Sequence, residues 1–227
     1  MLRDFLNLFF PDCCLTCSKP LVRGETLICT TCLHDLPQTT YHQEPDNIVA
    51  QKLYGRLPVR HAMALYKFRK SGKVQQLLHH LKYKHKPVIG KVLGKRYGII
   101  LKEAHWSKTF DLIVPVPLHS SRLRQRGYNQ SDFFAQGLSE VLDIPWSNQH
   151  LKRIKKTATQ IKKKSKSERL KGMEHAFYAT NTIEIHNKHL LLVDDVITTG
   201  ATLEACGLAL LAAGIKELSV ATIAVVV

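Results

Sequence analysis

The sequence predicts an α/β domain with a mostly parallel central sheet and a small metal-binding module ahead of it, and three observations predict this. Continuous apolar runs such as Leu112 to Val116, Leu190 to Val193 and Ser219 to Val226 alternate with amphipathic helical stretches, the pattern of buried parallel strands joined by crossover helices. With 227 residues and 44% hydrophobic content, the chain suffices for one compact domain plus an accessory module but not for two large domains. Five of the six cysteines fall within the first 32 residues, ahead of the alternating part.

The stretch Met1 to Phe10 is apolar but short, carries Arg3 and Asp4, and leads into Pro11 and cysteines rather than into a small-residue cleavage site. It reads as mature protein without an export signal, which implies a cytoplasmic chain. No apolar run reaches ten residues, well short of the roughly 18 to 20 needed to cross a bilayer. Cys14-x2-Cys17 and Cys29-x2-Cys32, eleven residues apart, form two knuckles whose thiolates can converge on one Zn²⁺. Two disulfides are the alternative, disfavoured in a reducing compartment, and Cys13 can substitute for Cys14 with a three-residue spacing. Four thiolates leave no open coordination position, so the zinc is expected to be structural.

Residues 39–60 are polar, include Pro45 and Pro58, and read as a linker between a module at 1–38 and a domain at 61–227. Within that domain Ala62 to Phe68 reads as a strand. Lys73 to Tyr83 and Val88 to Lys102 read as helices, from the spacing of Leu77, Leu78 and Leu81 and of Val92, Leu93 and Ile99. Leu112 to Val116 is a buried strand, and Ser131 to Leu142 a helix with Phe133, Phe134, Leu138, Val141 and Leu142 on one face. Thr157 to Gly172 is charged, aperiodic and expected to be a mobile loop. Leu190 to Val193, Ala201 to Ala213 and Ser219 to Val226 complete the series as strand, helix and strand. Cys206, on the apolar face of its helix, is expected in the core, and the scattered histidines suggest no metal site.

Lys and Arg number 33 against 18 Asp and Glu, a net charge of +15, which calls for an anionic partner such as nucleic acid or a phosphorylated metabolite. The charge is local. Lys82 to Lys102, Arg122 to Arg126 and Lys152 to Glu174 carry +7, +3 and +8 respectively, so the rest of the chain is slightly acidic. Tyr83, Tyr97 and Tyr128 lie among these basic residues, an arrangement compatible with stacking on single-stranded DNA, and also with partly buried core positions.

The segment Leu190-Leu191-Leu192-Val193-Asp194-Asp195-Val196-Ile197-Thr198-Thr199-Gly200-Ala201-Thr202 carries the chemistry. A buried strand delivers two acids to its C-terminal end, and a threonine-glycine turn then opens a helix. Such a turn directs backbone N–H groups and the hydroxyls of Thr198, Thr199 and Thr202 at a phosphate, with Gly200 supplying the unusual backbone angles. Adjacent carboxylates repel a phosphate but accept hydrogen bonds from vicinal sugar hydroxyls.

This segment resembles the signature of the type I phosphoribosyltransferases, which bind phosphoribosyl pyrophosphate. The resemblance implies that Asp194 and Asp195 hold the ribose hydroxyls and stabilise positive charge on the sugar, and that Thr198, Thr199, Gly200, Ala201 and Thr202 hold the 5′-phosphate. A second block, Pro115-Val116-Pro117-Leu118-His119 followed by Arg122-Leu123-Arg124-Gln125-Arg126-Gly127-Tyr128-Asn129-Gln130, is similar to that of the ComF family, bacterial proteins linked to DNA uptake in natural competence. Their layout is a zinc-knuckle module followed by a phosphoribosyltransferase domain, and the pattern Arg153, Thr157, Gln160 and Arg169 fits as well. The resemblance implies a type I phosphoribosyltransferase fold, structural zinc on Cys14, Cys17, Cys29 and Cys32, and Mg²⁺ accompanying phosphoribosyl pyrophosphate. It further implies pyrophosphate handling by Val116, Pro117, Leu118, Arg122, Arg124, Arg126 and Lys84. Because the three arginines alternate, an extended loop would aim them one way, at pyrophosphate or at DNA. Lys155 to Lys171 stands in the position of the mobile hood that closes over the site, and His85 stands where a small residue is expected. No residue stands out as a general base, and the acceptor of the phosphoribosyl group is not legible. Besides phosphoribosyl transfer, two readings stay open: a single-stranded-DNA-binding competence factor gated by phosphoribosyl pyrophosphate, and an interaction scaffold docked through the zinc module.

Overall fold

The computed structural model describes residues 11–153 and 176–227. In chain order the strands are β1 (Ala62–Phe68), β2 (Leu112–Pro115), β3 (Leu151–Arg153), β4 (Phe177–Ala179), β5 (His189–Ile197) and β6 (Glu217–Val226). Four of them form one sheet in the order β1-β6-β5-β2, parallel at every pairing, while β3 and β4 pair antiparallel as a separate ribbon. The helices are α1 (Thr30–His34), α2 (Ile48–Gln51), α3 (Lys73–Tyr83), α4 (Val88–Glu103), α5 (Ser120–Arg126), α6 (Gln130–Leu142), α7 (Thr182–Ile185) and α8 (Ala201–Ala212).

Strand alternation divides the interior into two cores. On one face, Leu191, Val193, Ala221 and Ile223 meet Leu77 and Leu81 of α3, Leu93 and Tyr97 of α4, and Phe134 and Leu138 of α6. On the other, Leu190, Leu192 and Val220 meet Val49, Leu53 and Leu57 together with Leu203, Cys206 and Leu210 of α8. Cys206 is fully buried, as its position on the apolar face predicts. Helices α4 and α6 approach until their backbones touch: a Cβ on Gly94 would lie 2.9 Å from the Cα of Gly137, so any side chain there forces the helices apart.

Several elements depart from the sequence expectations, each for a local reason. The stretch 39–60 is no free linker. Asn47 caps α2 by accepting from the Val49 and Ala50 amides and donates to the Ala62 carbonyl at 2.7 Å, while Val49, Leu53 and Leu57 are buried in the second core. The segment after β2 is a helix, not an extended loop, because the His119 ring caps its start by accepting from the Ser121 amide at 3.2 Å and Gly127, at φ +79°, ends it. Strand β5 runs on through Asp194 and Asp195 to Ile197, paired with β6 as far as Ile197–Val225. Ile28, Cys29, Cys32 and Leu36 join the first core, and Lys73 bonds Asp35 at 2.7 Å, which docks the cysteine segment against β1 and α3. Met1 to Phe10, and Thr157, Gln160, Arg169 and the hood segment Lys155 to Lys171, lie outside the described residues. Among the described residues no helix is long and apolar enough to cross a membrane.

Candidate active site

The candidate site lies where open parallel sheets place ligands, at the carboxyl ends of neighbouring strands. Pro115, the last residue of β2, is paired with Val193 of β5, and the Val116 amide donates to the Val193 carbonyl at 2.9 Å. The loop Val116-Pro117-Leu118 therefore runs beside Asp194 and Asp195, although 78 residues separate Val116 from Asp194 in the chain. Asn129 fixes this loop, donating from Nδ2 to the Val116 carbonyl at 3.0 Å.

The two acids are adjacent in sequence and differ in environment, since consecutive strand residues point to opposite sides. Asp194 accepts at Oδ1 from the Ser131 hydroxyl at 2.9 Å and from the Asp195 amide at 2.8 Å. Burial first, and then the charge of Asp195, push its carboxyl up to about 7. Asp195 is paired at 2.8 Å with Lys82, from the last turn of α3. Lys84, expected among the residues that handle pyrophosphate, is exposed as the C-cap of α3; Lys82, on nearly the opposite face two residues earlier, is the lysine that pairs with Asp195. His85 adopts φ +50°, the left-handed backbone that explains why a small residue suits that position.

Thr198 to Thr202 form the turn between β5 and α8. Gly200 sits at φ +83° and ψ −7° and caps α8, the Ala201 amide donates to Thr199 Oγ1 at 3.4 Å, and the start of the helix carries its partial positive charge. The side chains of Thr198, Thr199 and Thr202 are exposed; the Thr199 hydroxyl is held by the Ala201 amide, and those of Thr198 and Thr202 can turn toward a ligand. A residue from the expected linker completes the turn. Arg56 donates to the Thr199 carbonyl at 2.7 Å and to Glu204 at 2.9 Å, and a Cβ at Gly200 would come within 3.2 Å of its guanidinium and 2.9 Å of Leu53. Gly200 is thus required by its angles and by the close approach of this segment. Nothing in the spacing of Arg56 identifies it in the sequence; it lies 143 residues from Thr199.

The arginine expectation needs correction. Arg122, Arg124 and Arg126 lie on helix α5, where alternate residues diverge instead of pointing one way. Arg122 and Arg124 are exposed, whereas Arg126 is buried, donating to Gln130 at 3.0 Å with its guanidinium 5.1 Å from the ring of Tyr83. The signals for this helix were Gly127 and the helix-forming Arg and Gln residues; with Leu123 its single apolar residue, no periodicity marks it. Arg153, on β3, lies close enough to feel the charge of Asp194.

Cys14, Cys17, Cys29 and Cys32 converge with all four sulfurs within 4.8 Å of one another, and those of Cys17 and Cys29 are 3.8 Å apart. A zinc ion about 2.3 Å from each of four tetrahedral thiolates sets the sulfurs about 3.8 Å apart, so the donor set fits that metal. The choice between Cys13 and Cys14 is resolved: Cys13 is exposed and its thiol bonds the Pro11 carbonyl, while Cys14 faces the cluster.

Residues 133–226 match the family model described as the phosphoribosyl transferase domain. Competence protein F of Haemophilus influenzae is 36% identical over 148 residues, covering 63% of this chain and 64% of that protein. The chain is similar to competence proteins of the ComF type. DNA utilization protein YhgH of Escherichia coli strain K12 is 29% identical over 85% of this chain and 87% of its own length, and competence protein ComFC of Bacillus subtilis strain 168 is 26% identical over 92% and 82%. The domain has the type I phosphoribosyltransferase fold, a parallel sheet flanked by helices. Helix α5 and the loop after β2 lie before the stretch matched by the family model, so their assignment to the site rests on the register of β2 against β5.

Proposed function

We propose that the chain binds phosphoribosyl pyrophosphate with Mg²⁺ and takes part in the handling of incoming DNA, with phosphoribosyl transfer as its chemistry. The observation that carries this reading is the placement of Asp194 and Asp195 between the turn that opens α8 and the loop after β2. In it, the amides of α8 and the threonine hydroxyls take the 5′-phosphate, and the two acids accept from the ribose hydroxyls. Carboxylate oxygens also suit Mg²⁺, which would neutralise pyrophosphate charge when bound with it. Arg153 and the exposed Arg122 are the guanidinium groups available on the pyrophosphate side. As the C1–O bond breaks, the carboxylates stabilise the positive charge that develops on the sugar. The four cysteines hold a structural zinc that ties the first segment to the domain at 61–227.

Calorimetric titration with phosphoribosyl pyrophosphate and Mg²⁺ tests this. Binding is expected for the parent chain and lost in Asp194→Ala/Asp195→Ala, and an unaltered isotherm in the variant would falsify the assignment.

A second reading, single-stranded DNA binding gated by the same ligand, is favoured by Tyr83. The residue is 56% exposed, its ring is backed by Arg126, and Lys84 and Lys86 beside it are exposed, a stacking surface within a basic strip. Tyr97 is fully buried and Tyr128 is tied to the Leu81 carbonyl, so neither adds a stacking face. Affinity for a short single strand should fall steeply with salt and weaken in Tyr83→Ala.

A further inference from the structure

Helix α3 turns Lys82 to Asp195 and presents a separate surface toward solvent. Gly72, Gln75, Gln76, His79, His80 and Tyr83 recur at helical spacing on that side, while Val74, Leu77, Leu78 and Leu81 face the first core. Where the helix begins, a cavity of about 320 Å³ opens between it and the loop after β1, lined by Ser71, Gly72, the two glutamines and the two histidines. The loop is fixed over the helix: Ser71 takes the left-handed backbone at φ +62°, and its amide donates to Gln75 Oε1 at 2.5 Å.

The chemistry of this face is flat, polar and basic. The rings of His79 and Tyr83 lie 5.2 Å apart at 44°, and the Arg126 guanidinium backs Tyr83 at 5.1 Å, so two successive rings can take stacked bases. The side-chain amides of Gln75 and Gln76 supply donors and acceptors suited to a base edge. Exposed cations stand at both ends, Arg69 and Lys70 before the cavity and Lys84 and Lys86 after Tyr83. No Asp or Glu occurs between Asp46 and Glu103, and Asp35, which reaches the start of the helix, is paired with Lys73 at 2.7 Å. A face with rings between two basic ends complements a polyanion with open planar groups, hence a single strand and not a duplex, whose bases are already stacked on one another. From Gly72 to Tyr83 the helix rises about 16 Å, which accommodates about four nucleotides at roughly 3.4 Å each.

We propose that this face of α3 is a binding site for about four nucleotides of single-stranded DNA, with phosphates held at its two basic ends, bases stacked on Tyr83 and His79, and one base seated in the cavity beside Gln75 and Gln76. This rests on the reading of Tyr83 as a stacking residue and extends the site along the helix to the loop after β1.

The test is fluorescence anisotropy of the full chain with a labelled oligothymidine of about twelve nucleotides, repeated over a series of salt concentrations. Arg69→Ala/Lys70→Ala, at the end remote from Tyr83, should reduce the salt slope of log K by about 1.4, the value for two single-strand phosphates. His79→Ala should weaken binding about tenfold, the scale of one stacked base, with recovery in His79→Phe, which keeps a ring. Lys91→Ala, on α4 and paired with Glu140, should change neither affinity nor slope; a loss there equal to that of the paired substitution would mean diffuse charge attraction and overturn the site. Binding that weakens in Tyr83→Ala but is unaltered in His79→Ala or in Arg69→Ala/Lys70→Ala overturns the extended site and leaves the Tyr83 reading standing. An oligouridine of the same length bound more tightly overturns DNA as the occupant. A chain that binds no strand at low salt overturns both readings.

Discussion

The cysteine cluster and the turn between β5 and α8 both announce themselves as short motifs, yet they are completed in opposite ways. All four donors of the cluster, Cys14, Cys17, Cys29 and Cys32, come from the motif itself. The turn is finished by residues from elsewhere: Lys82 on Asp195, Ser131 on Asp194, and Arg56 bridging Thr199 and Glu204. A metal site of this kind needs only convergent thiolates, whereas a site for a charged sugar phosphate must have its own carboxylates balanced before a ligand arrives. That balance is a tertiary property.

The largest expected effect lies on the cluster side. Metal binding supplies the folding energy of a segment too short to bury its own core, and three of its cysteines lie in the first hydrophobic core. Treatment with a zinc chelator should lower the melting temperature by at least about 10 °C, read by differential scanning calorimetry with elemental analysis of zinc. A shift below about 2 °C, on the same scale, would mean that the module stands without metal.

On the turn side, Arg56→Ala should weaken phosphoribosyl pyrophosphate binding about tenfold, the scale of one charge-assisted hydrogen bond. Part of that loss comes from leaving Glu204 uncompensated in the first turn of α8, where the ligand phosphate is expected. Adding Glu204→Gln to Arg56→Ala should therefore restore part of the affinity, and a strictly additive double mutant would remove the charge-balancing role. Lys82→Ala removes a cation that favours the ionised form of Asp194. The pH midpoint for donor binding should then move upward, as followed by calorimetry across the neutral range; a midpoint that stays put would separate Lys82 from the pair.

The smallest effect is on stability. The Asp194 carboxyl is raised from 3.8 to about 7 in the folded chain, so the folded state holds a proton that the unfolded state has released. Stability contributed at this position therefore falls as pH rises from about 4 to about 7 and stays low above that. Asp194→Asn escapes the loss. It should melt a few degrees above the parent at pH 8, with the gap closing toward pH 4, and equal gaps at both ends would show that Asp194 does not titrate differently on folding.

Most of the fold was legible because it is written in periodicity. Leu190 to Val193 and Leu112 to Val116 could be read as buried strands from their own residues, and Ala201 to Ala213 as a helix. What was not legible follows from long-range contact. Nothing near Val49, Leu53 and Leu57 shows that they will meet α8, and the prolines around them suggest a linker. Helix α5 was hidden because Leu123 is its one apolar residue and its caps, His119 and Gly127, resemble loop residues. The acids and the phosphate turn were visible as a run of consecutive residues. Arg56, Lys82 and Ser131 were not, since each reaches its place only after the sheet has formed.

The strand order also bears on how the chain acquires its shape. Strand β6 lies between β1 and β5 and hydrogen-bonds to both, yet it is synthesised after them. Until residues 217–226 leave the ribosome, β1 has no sheet neighbour and β5 is paired with β2 alone, so two hydrophobic edges stay open. The sheet closes in one late, non-local event. Until then the acids at the end of β5 lack the completed sheet that fixes their opposing directions, so the candidate site is among the last features of the molecule to take form.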